Sequence, residues 1–571
     1  MDDRWITDWP TSTRFPHYTR ANAGEVLADP VSPLGWTFGW DGGIVAGYRA
    51  GLIRCGVYEL ADFDPEHPES VACFGGYLYI NLSAIRMQGA RNPAATVEML
   101  DTAFFGDHPD VPPYVAHPDD QKPHLLPAIE AHANWVLGGD GWPELGEDKA
   151  DAAALRGSRG DLQPLTPEQL VARARAVQAR LHHLFSQHVV SGTSAAVAPG
   201  VLALVGAALE DPGFPMTLLS SLGSVDSADA SFALWDLSRL VRNDPSLTAA
   251  FDDGVHEVLS RIESPEFLGA WASFLEEFGS RGPDEWDIAS PSWETHPELA
   301  LAALDRVRLQ SDEQSPRLRN QRGADARDAS IAAARIRLAG NVEMLGLLDA
   351  GLTAGQMMAH RERTKTTIVR VLHEARLAFR ELGRQTGHGD LVFQLLDSEL
   401  DAYVTDPSSF DDVLRHRHRE WRTLFDLEPP FIIANGTVPP LGQWAKRSRV
   451  AAVGTKLSDG DSLTGVGGSP GIARGVARVV LDAGDPRDLQ PGDVLIAPNT
   501  DPSWTPLFMS ASAVVVEVGG QISHAVIVCR ELGLPCVVSA KDATTRIPDG
   551  SVVEVDGSAG TVRIISPGAT P

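Results

Sequence analysis

Hydrophobic and polar positions follow a helical period through the middle of the chain. Between residues 166 and 428, apolar residues recur at intervals of three and four, the spacing of amphipathic helices. Ile368, Val371 and Leu372, for example, would share one helix face. Thr166 before a proline is a favourable helix start. This stretch is therefore predicted to be mostly α-helical.

The last hundred residues show a different pattern, in which short runs rich in Val and Ile alternate with turns. Such runs predict strands. They cover Ala477–Leu481, Asp493–Ala497, Ala513–Val518, Cys536–Ser539, Ser551–Val555 and Thr561–Ile565. One helix is predicted among them, over His524–Leu532. The pattern indicates a compact α/β domain.

The first 150 residues mix short strands and loops. Phe74–Leu82 alternates between apolar and polar positions, which predicts a strand. Ala21–Trp40 contains Pro30 and Pro33, so an ordered turn region without regular structure is expected there.

These patterns predict a multi-domain protein, mainly α-helical with some β structure, that ends in an α/β domain. The predicted divisions are a mixed α/β part at 1–150, a helical domain at 151–433, a linker at 434–465 and the α/β domain at 466–567. The linker is placed where helical periodicity is lost and Gly, Pro, Ser and Lys occur in mixed order.

Composition restricts the partners that the protein can have. The chain has 571 residues, with 48 Lys and Arg against 76 Asp and Glu, a formal net charge of -28. Such a surface repels nucleic acid and anionic lipid, so neither is expected as a partner. We find no signal peptide and no run of eighteen apolar residues, and we expect no membrane span.

The four cysteines have no metal-site spacing. None forms a Cys-x-x-Cys pair, and no Cys/His cluster has zinc-finger spacing. Buried, reduced thiols in a cytoplasmic protein are expected, with no metal site.

One segment near the C-terminus has the pattern of a catalytic turn. A Val-rich strand leads into Gly519 and Gly520, two residues that allow a tight backbone path. Ser523 is placed to cap the following helix, and His524 would be its first residue. Gly533 would end that helix.

This placement suits a histidine that accepts a phosphoryl group. A neutral imidazole nitrogen is a competent nucleophile near neutral pH. The product carries extra negative charge, which the free N–H groups and positive dipole end of a helix N-terminus stabilise by roughly 0.3–1 kcal/mol. His524 is therefore the candidate nucleophile.

The same segment, GGQISHAVIVCRELGLP at Gly519–Pro535, resembles the mobile phosphohistidine domain of phosphoenolpyruvate-utilising enzymes, such as pyruvate phosphate dikinase. GSPGIARGVARVV at Gly468–Val480 and PGDVLIAP at Pro491–Pro498 also fit that family. The resemblance implies a swivelling domain in which His524 is phosphorylated. The same resemblance implies that the phosphohistidine loop is supported by Gly519, Gly520, Ser523 and Arg530.

The upstream part is similar to the acceptor-binding region of rifampicin phosphotransferase. NAGEVLADPVSPL at Asn22–Leu34 and EEFGSRGPDEWDIASPSWETHP at Glu276–Pro297 carry this resemblance. It implies that the acceptor binds in the helical region.

The candidate acceptor-binding residues are Ser280, Arg281 and Glu285. The relatives often have Gly-His-Arg where this chain has Gly-Ser-Arg. If that histidine of the relatives handles the acceptor hydroxyl, Ser280 puts the same role in doubt in this chain. Arg281 could clamp a phosphate or carboxylate. A structural salt-bridge corner of Arg281, Asp284 and Glu285 remains the alternative.

The family's histidine is charged by an ATP-grasp domain, for which we find no room beside the helical region, and there is no P-loop motif. In phenylphosphate synthase, which offers similar logic, the histidine-bearing and ATP-binding chains are separate. We therefore expect an ATP-grasp partner that supplies ATP and Mg²⁺, no tightly bound cofactor in this chain, and a small organic hydroxyl as acceptor.

The expected function is that of a phosphotransferase, or kinase, component carrying a phosphohistidine from the ATP-grasp partner to the hydroxyl acceptor. A stand-alone phosphohistidine carrier or regulatory protein is one alternative. A non-catalytic binding module with the same fold is the other.

Overall fold

The protein forms two compact units in a computed structural model. The first unit comprises Met1–Ser194, Asp284–Ser290 and Arg363–Ser448, and the second comprises Ala195–Pro283, Pro291–Glu362 and Arg449–Pro571. The structure describes residues 4–64, 70–92, 96–105, 110–139, 141–223, 225–447, 455–481, 489–500, 504–521 and 523–566.

Helices make up most of the described chain. In chain order the α-helices are α1 Ala23–Val26, α2 Val45–Arg54, α3 Leu82–Arg91, α4 Val97–Phe105, α5 Leu126–Gly138, α6 Glu144–Gly157, α7 Pro167–Ala195, α8 Val197–Ala208, α9 Phe214–Leu218, α10 Asp226–Asn243, α11 Pro245–Asp252, α12 Val258–Arg261, α13 Pro265–Phe278, α14 Pro297–Arg308, α15 Pro316–Arg337, α16 Val342–Thr386, α17 Leu400–Thr405, α18 Asp411–Leu424, α19 Thr505–Ser510, α20 His524–Leu532 and α21 Ala543–Arg546.

The strands are short and concentrate in the C-terminal part. They are β1 Tyr18–Thr19, β2 Val71–Phe74, β3 Tyr77–Asn81, β4 Leu427–Glu428, β5 Ile432–Ile433, β6 Ala445–Lys446, β7 Ser462–Thr464, β8 Val466–Ser469, β9 Ile472–Val479, β10 Val494–Ala497, β11 Ala513–Val516, β12 Cys536–Val538, β13 Val552–Asp556 and β14 Thr561–Ser566.

The first unit combines long helices with a small sheet of order β2-β3-β1-β5, in which all pairs are antiparallel. Its core is continuous. Ile368, Val371 and Leu372 of α16 are all buried in it, which confirms the apolar face predicted from their spacing.

The segment Ala21–Trp40 is more regular than the sequence indicated. A ten-residue π-helix occupies Gly35–Ile44 and runs directly into α2. The prediction of a turn region was wrong here because Pro33 lies in the first helical turn, where a proline costs no hydrogen bond. Proline at that position starts a helix rather than interrupting one.

The second unit contains the C-terminal sheet. Its eight strands have the order β7-β14-β13-β9-β10-β11-β12-β8, and the four strands from β9 to β12 are parallel. Every residue of β10, β11 and β12 is buried. Parallel strands covered on both faces are expected to be this apolar.

Helices of the same unit pack on this sheet. One apolar core joins Leu234 of α10, Leu304 of α14 and Phe508 of α19 to Val528 of α20 and Val514 of β11. The predicted architecture, mainly helical with a C-terminal α/β sheet domain, is therefore confirmed at this level. The domain limits placed at 1–150, 151–433, 434–465 and 466–567 stay predictions.

One helical stretch is long and apolar enough to be considered as a membrane span. It covers Pro167–Ala208, its most apolar window has a mean hydropathy of 1.7, and half of that window is buried within the protein. This stretch contains no run of eighteen consecutive apolar residues, so the sequence criterion did not identify it. Buried core helices have the same composition, so this stretch is weak evidence for a membrane.

Candidate functional site

The helix that carries His524 begins at the residue predicted from sequence. α20 spans His524–Leu532, follows the buried strand β11 by a short turn, and has all nine residues buried. Gly533 ends it in a left-handed conformation, with φ of 63°. That is the common glycine stop of a helix.

Glycine is required in the turn between β11 and α20. Gly519 has φ of +143°, which L-amino acids with a side chain rarely adopt. Its carbonyl accepts a hydrogen bond of 2.6 Å from the Ser539 hydroxyl, and the Gly520 carbonyl accepts one of 3.0 Å from the Ser523 amide. The turn is thus held at both glycines.

Ser523 occupies the cap position, but its hydroxyl does not cap the helix. Its backbone is extended and makes no side-chain capping bond, so the predicted capping role was wrong. The Ser523 Oγ is buried and has no hydrogen-bond partner among the described residues. Its backbone carbonyl instead accepts from Ile527 at 3.1 Å, the first bond of α20.

His524 is buried beside a threonine. Only 6% of the residue is exposed, and its Nε2 lies 3.3 Å from the Oγ1 of Thr505. Thr505 is the first residue of α19 and is itself 4% exposed. Thr505 was not predicted as a site residue. Its one sequence signal is the Thr-Pro pair, typical of a helix start.

Arg281 and Thr505 line the same small cavity. The cavity has a volume of about 10 Å³ and lies among α10, α19 and the loop after α13. Its other lining residues are Ser227, Ala230, Ser231, Leu234, Trp293, Pro506 and Met509. Because Thr505 also contacts the His524 imidazole, the cavity places a buried guanidinium close to the candidate nucleophile.

Space in this cavity is limiting. About 10 Å³ corresponds to roughly one water molecule. A phosphoryl group on His524 together with an acceptor would not fit in it. Any transfer at this place therefore requires α10 and α19 to move apart.

The other candidate acceptor residues are placed as follows. Ser280 is 2% exposed and precedes Arg281 in the second unit. Glu285 belongs to the first unit, is 1% exposed, and has a carboxylate oxygen 3.4 Å from the Lys365 ammonium.

Arg530 lies toward the other end of α20 from His524. Its Nε donates a hydrogen bond of 2.7 Å to the Gly468 carbonyl of β8. Burial lowers the pKa of Arg530 to about 10. Six residues separate it from His524, about 9 Å along the helix, so it supports the packing of α20 rather than the imidazole itself.

Glu531 was missed by the sequence analysis. Its carboxylate is 2% exposed, yet it accepts hydrogen bonds from the Leu222 and Gly223 amides at 2.9 and 3.2 Å. Asn320 Nδ2 donates to the Glu531 carbonyl at 2.7 Å. These partners are more than 200 residues away in sequence, so no local pattern could have revealed them.

The arrangement matches a group-transfer site in its chemistry. It combines an imidazole at the start of a helix, a hydroxyl against its Nε2, and a buried guanidinium lining the adjacent cavity. Helix N–H groups and a guanidinium both favour phosphate anions. Among the described residues, no three or more His, Cys, Asp and Glu side chains cluster as a metal site.

Comparison with known proteins finds two parts of the chain that match known families. Residues 489–560 match the mobile domain of PEP-utilising enzymes, and residues 185–362 match the fourth domain of rifampicin phosphotransferase. Most residues of both matches belong to the second unit. They confirm both resemblances seen in the sequence, and they relate the chain to phosphotransferases.

Individual relatives agree with that class. An uncharacterised protein of Mycobacterium tuberculosis is 29% identical over 594 aligned residues, which cover 98% of this chain and 62% of the relative. The chain thus spans less than two thirds of that protein.

Two named transferases are also similar over part of the chain. The rifampicin phosphotransferase of Streptomyces sviceus is 30% identical, over 61% of this chain and 41% of its own length. The prodigiosin synthesizing transferase PigC of Serratia marcescens is 28% identical, over 62% of this chain and 40% of its own.

Proposed function

We propose that this protein is a phosphotransferase component in which His524 carries a phosphoryl group between a nucleotide-using domain and an organic hydroxyl acceptor. The observation that carries the proposal is the position of His524. It is the first residue of α20, and its Nε2 contacts Thr505, which lines a cavity together with the buried Arg281.

The first half-reaction charges the histidine. A ring nitrogen of His524 attacks a phosphorus atom of ATP, a P–N bond forms, the P–O bond to the rest of the nucleotide breaks, and the proton of the other ring nitrogen passes to solvent. An ATP-grasp protein, in a separate chain, would hold ATP and Mg²⁺ for this step. Because His524 is 6% exposed, α20 must first separate from the helices that cover it.

The second half-reaction transfers the group. The acceptor oxygen attacks the phosphorus in line, and the electron pair of the broken P–N bond returns to the ring, which ends with the hydroxyl proton. Such a step is catalysed mainly by positioning and by charge stabilisation. Arg281 is suited to the phosphoryl oxygens, while roles for Ser280 and Glu285 at the acceptor remain part of the proposal.

The described cysteines support a cytoplasmic location for this activity. Cys55, Cys73, Cys529 and Cys536 are all buried free thiols. Unpaired buried thiols are typical of a reducing compartment.

Labelled ATP tests the proposal. The chain is incubated with a candidate ATP-grasp partner and ATP carrying label at either the β or the γ phosphate. We expect a base-stable, acid-labile label on His524 that is absent from His524→Ala. His256→Ala is the matched control, because that side chain is 94% exposed.

The other outcomes decide between the alternatives. Label from phosphoenolpyruvate alone, without an ATP-grasp protein, would favour the stand-alone carrier. No label on His524 from any partner or donor would leave the non-catalytic binding module.

A further inference from the structure

One face of α20 meets the helical part of its own unit. His524, Ile527 and Glu531 follow each other at three- and four-residue spacing, so they share that face. Ile527 packs with Val225 and Ala359 in a small apolar cluster. His524 and Glu531 are seven residues apart, which places them about 10 Å from each other along the helix.

Glu531 is the one acidic residue on this face, and its hydrogen-bond donors all come from outside the sheet domain. Oε1 accepts from the Leu222 amide at 2.9 Å, and Oε2 accepts from the Gly223 amide at 3.2 Å. Asn320 Nδ2 lies 3.4 Å from Oε2 and 2.7 Å from the Glu531 carbonyl.

Burial of this carboxylate is tolerated only where its donors are present. Removing a carboxylate from water costs several kcal/mol unless it is hydrogen-bonded. Burial raises the pKa of Glu531, and the bonds from Leu222, Gly223 and Asn320 act against that rise. A displacement of α20 by one helical position would leave the charge without its donors.

We infer that Glu531 is a positioning residue, which fixes α20 on the helical part so that His524 lies beside the cavity lined by Arg281. The inference rests on the proposed function, because it assigns Glu531 to the transfer step. Apolar packing around Ile527 alone would tolerate small rotations and shifts of α20. The directional hydrogen bonds of a buried carboxylate do not tolerate such movements, so they fix the position of α20 on the helical part.

The Glu531 carboxylate also allows α20 to separate from the helical part. When α20 leaves the helical part, water replaces the three donors, and Glu531 regains its hydration. Rehydration of the carboxylate offsets part of the free-energy cost of breaking its docked hydrogen bonds. Glu531 accordingly acts on transfer and not on charging.

Two variants test this role with a readout that does not depend on phosphoryl transfer. Glu531→Gln presents an amide N–H₂ to an amide donor, and Asn320→Asp places a second carboxylate against Glu531. Gln321→Glu is the matched control, since it adds the same charge one residue along α15 at an exposed position. Circular dichroism and thermal melting verify that each variant is folded.

The accessibility of His524 is the direct readout. Carbethoxylation by diethyl pyrocarbonate is followed on individual peptides, with the 94% exposed His256 as internal reference. In the variants, His524 should react roughly tenfold faster than in the wild type, because bonds to a charged group are lost. In Gln321→Glu, the rate should not change.

Phosphoryl transfer provides the second readout. The two variants should charge His524 at least as fast as the wild type and pass the group to the acceptor more slowly. Folded variants with unchanged His524 reactivity would overturn the positioning role, even if His524 is a phosphohistidine. A wild-type His524 that is never phosphorylated would instead refute the proposed function, whatever the modification rates show.

Discussion

Ser523 stands at the cap position of α20 without using its hydroxyl there. Replacement of a capping serine by alanine usually costs about 1 kcal/mol. The Ser523 Oγ has no partner among the described residues, so Ser523→Ala should change the free energy of unfolding by less than about 0.5 kcal/mol. Urea denaturation measures this, and a loss of a full cap energy would show that the hydroxyl does bond in solution.

Arg281 should matter for transfer and not for charging. Its guanidinium lines the cavity beside Thr505, and the proposed transfer step needs a donor for the phosphoryl oxygens. Arg281→Gln should slow transfer to the acceptor by about 10²-fold, the usual effect of losing one preorganised donor. Rapid-quench kinetics separates the two steps.

Arg335→Gln is the matched control for that experiment, because Arg335 pairs at the surface with Asp349. It should leave both steps unchanged. Equal slowing of charging and transfer in Arg281→Gln would indicate a structural role for this arginine.

The turn before α20 depends on glycine at position 519. Gly519 has a backbone conformation that only glycine adopts easily, and a Cβ there would lie 3.2 Å from the Ser523 Oγ. Gly519→Ala should destabilise the second unit by about 1–3 kcal/mol and lower the yield of phosphorylated His524. Thermal unfolding and the labelling assay measure the two effects.

Gly346→Ala is the counterpart of that substitution within a helix. Gly346 lies in α16, and nothing is near a Cβ built on it. Alanine is the better helix former by up to about 1 kcal/mol, so this variant should be neutral or more stable. A similar loss in both variants would mean that the Gly519 conformation is not the cause.

Local sequence patterns predicted the elements around His524 well. α20 begins and ends where expected, because a double glycine, a polar cap position and a later Gly-x-Pro are all local signals. β10, β11 and β12 match the Val- and Ile-rich runs to within two residues. The π-helix at Gly35–Ile44 was missed, since proline at a helix start and proline within a loop look alike in sequence.

The surroundings of His524 could not be predicted to the same extent. Thr505 and Arg281 reach the same cavity through the packing of α10 and α19, which depends on the tertiary fold. Glu531 has its donors in residues 222–223 and 320, brought together only by that packing. A motif identifies the nucleophile, whereas its neighbours follow from long-range contacts.

Within the second unit as a whole, the site is closed around an unphosphorylated His524. The cavity has room for about one water molecule, so a phosphoryl group on His524 should loosen the docking of α20 until α10 and α19 move apart. The Leu222 and Gly223 amides donate to Glu531 and should be protected from hydrogen exchange in the unphosphorylated protein. Phosphorylation should accelerate their exchange.

Hydrogen-exchange mass spectrometry measures that change, with peptides from α11 as the internal comparison. Exchange at residues 222–223 that is the same before and after phosphorylation would show that the charged histidine stays in the docked position. The transfer step would then need no opening of the site.

The claim that His524 carries phosphorus is tested most directly on protein recovered from cells. The chain is isolated under alkaline conditions, which preserve phosphohistidine, and its peptides are sequenced by mass spectrometry with electron-transfer fragmentation. We expect one phosphoryl group on the His524 ring, lost on mild acid treatment. A phosphoryl group on another residue, with His524 unmodified under every nucleotide and phosphoenolpyruvate condition, would contradict it.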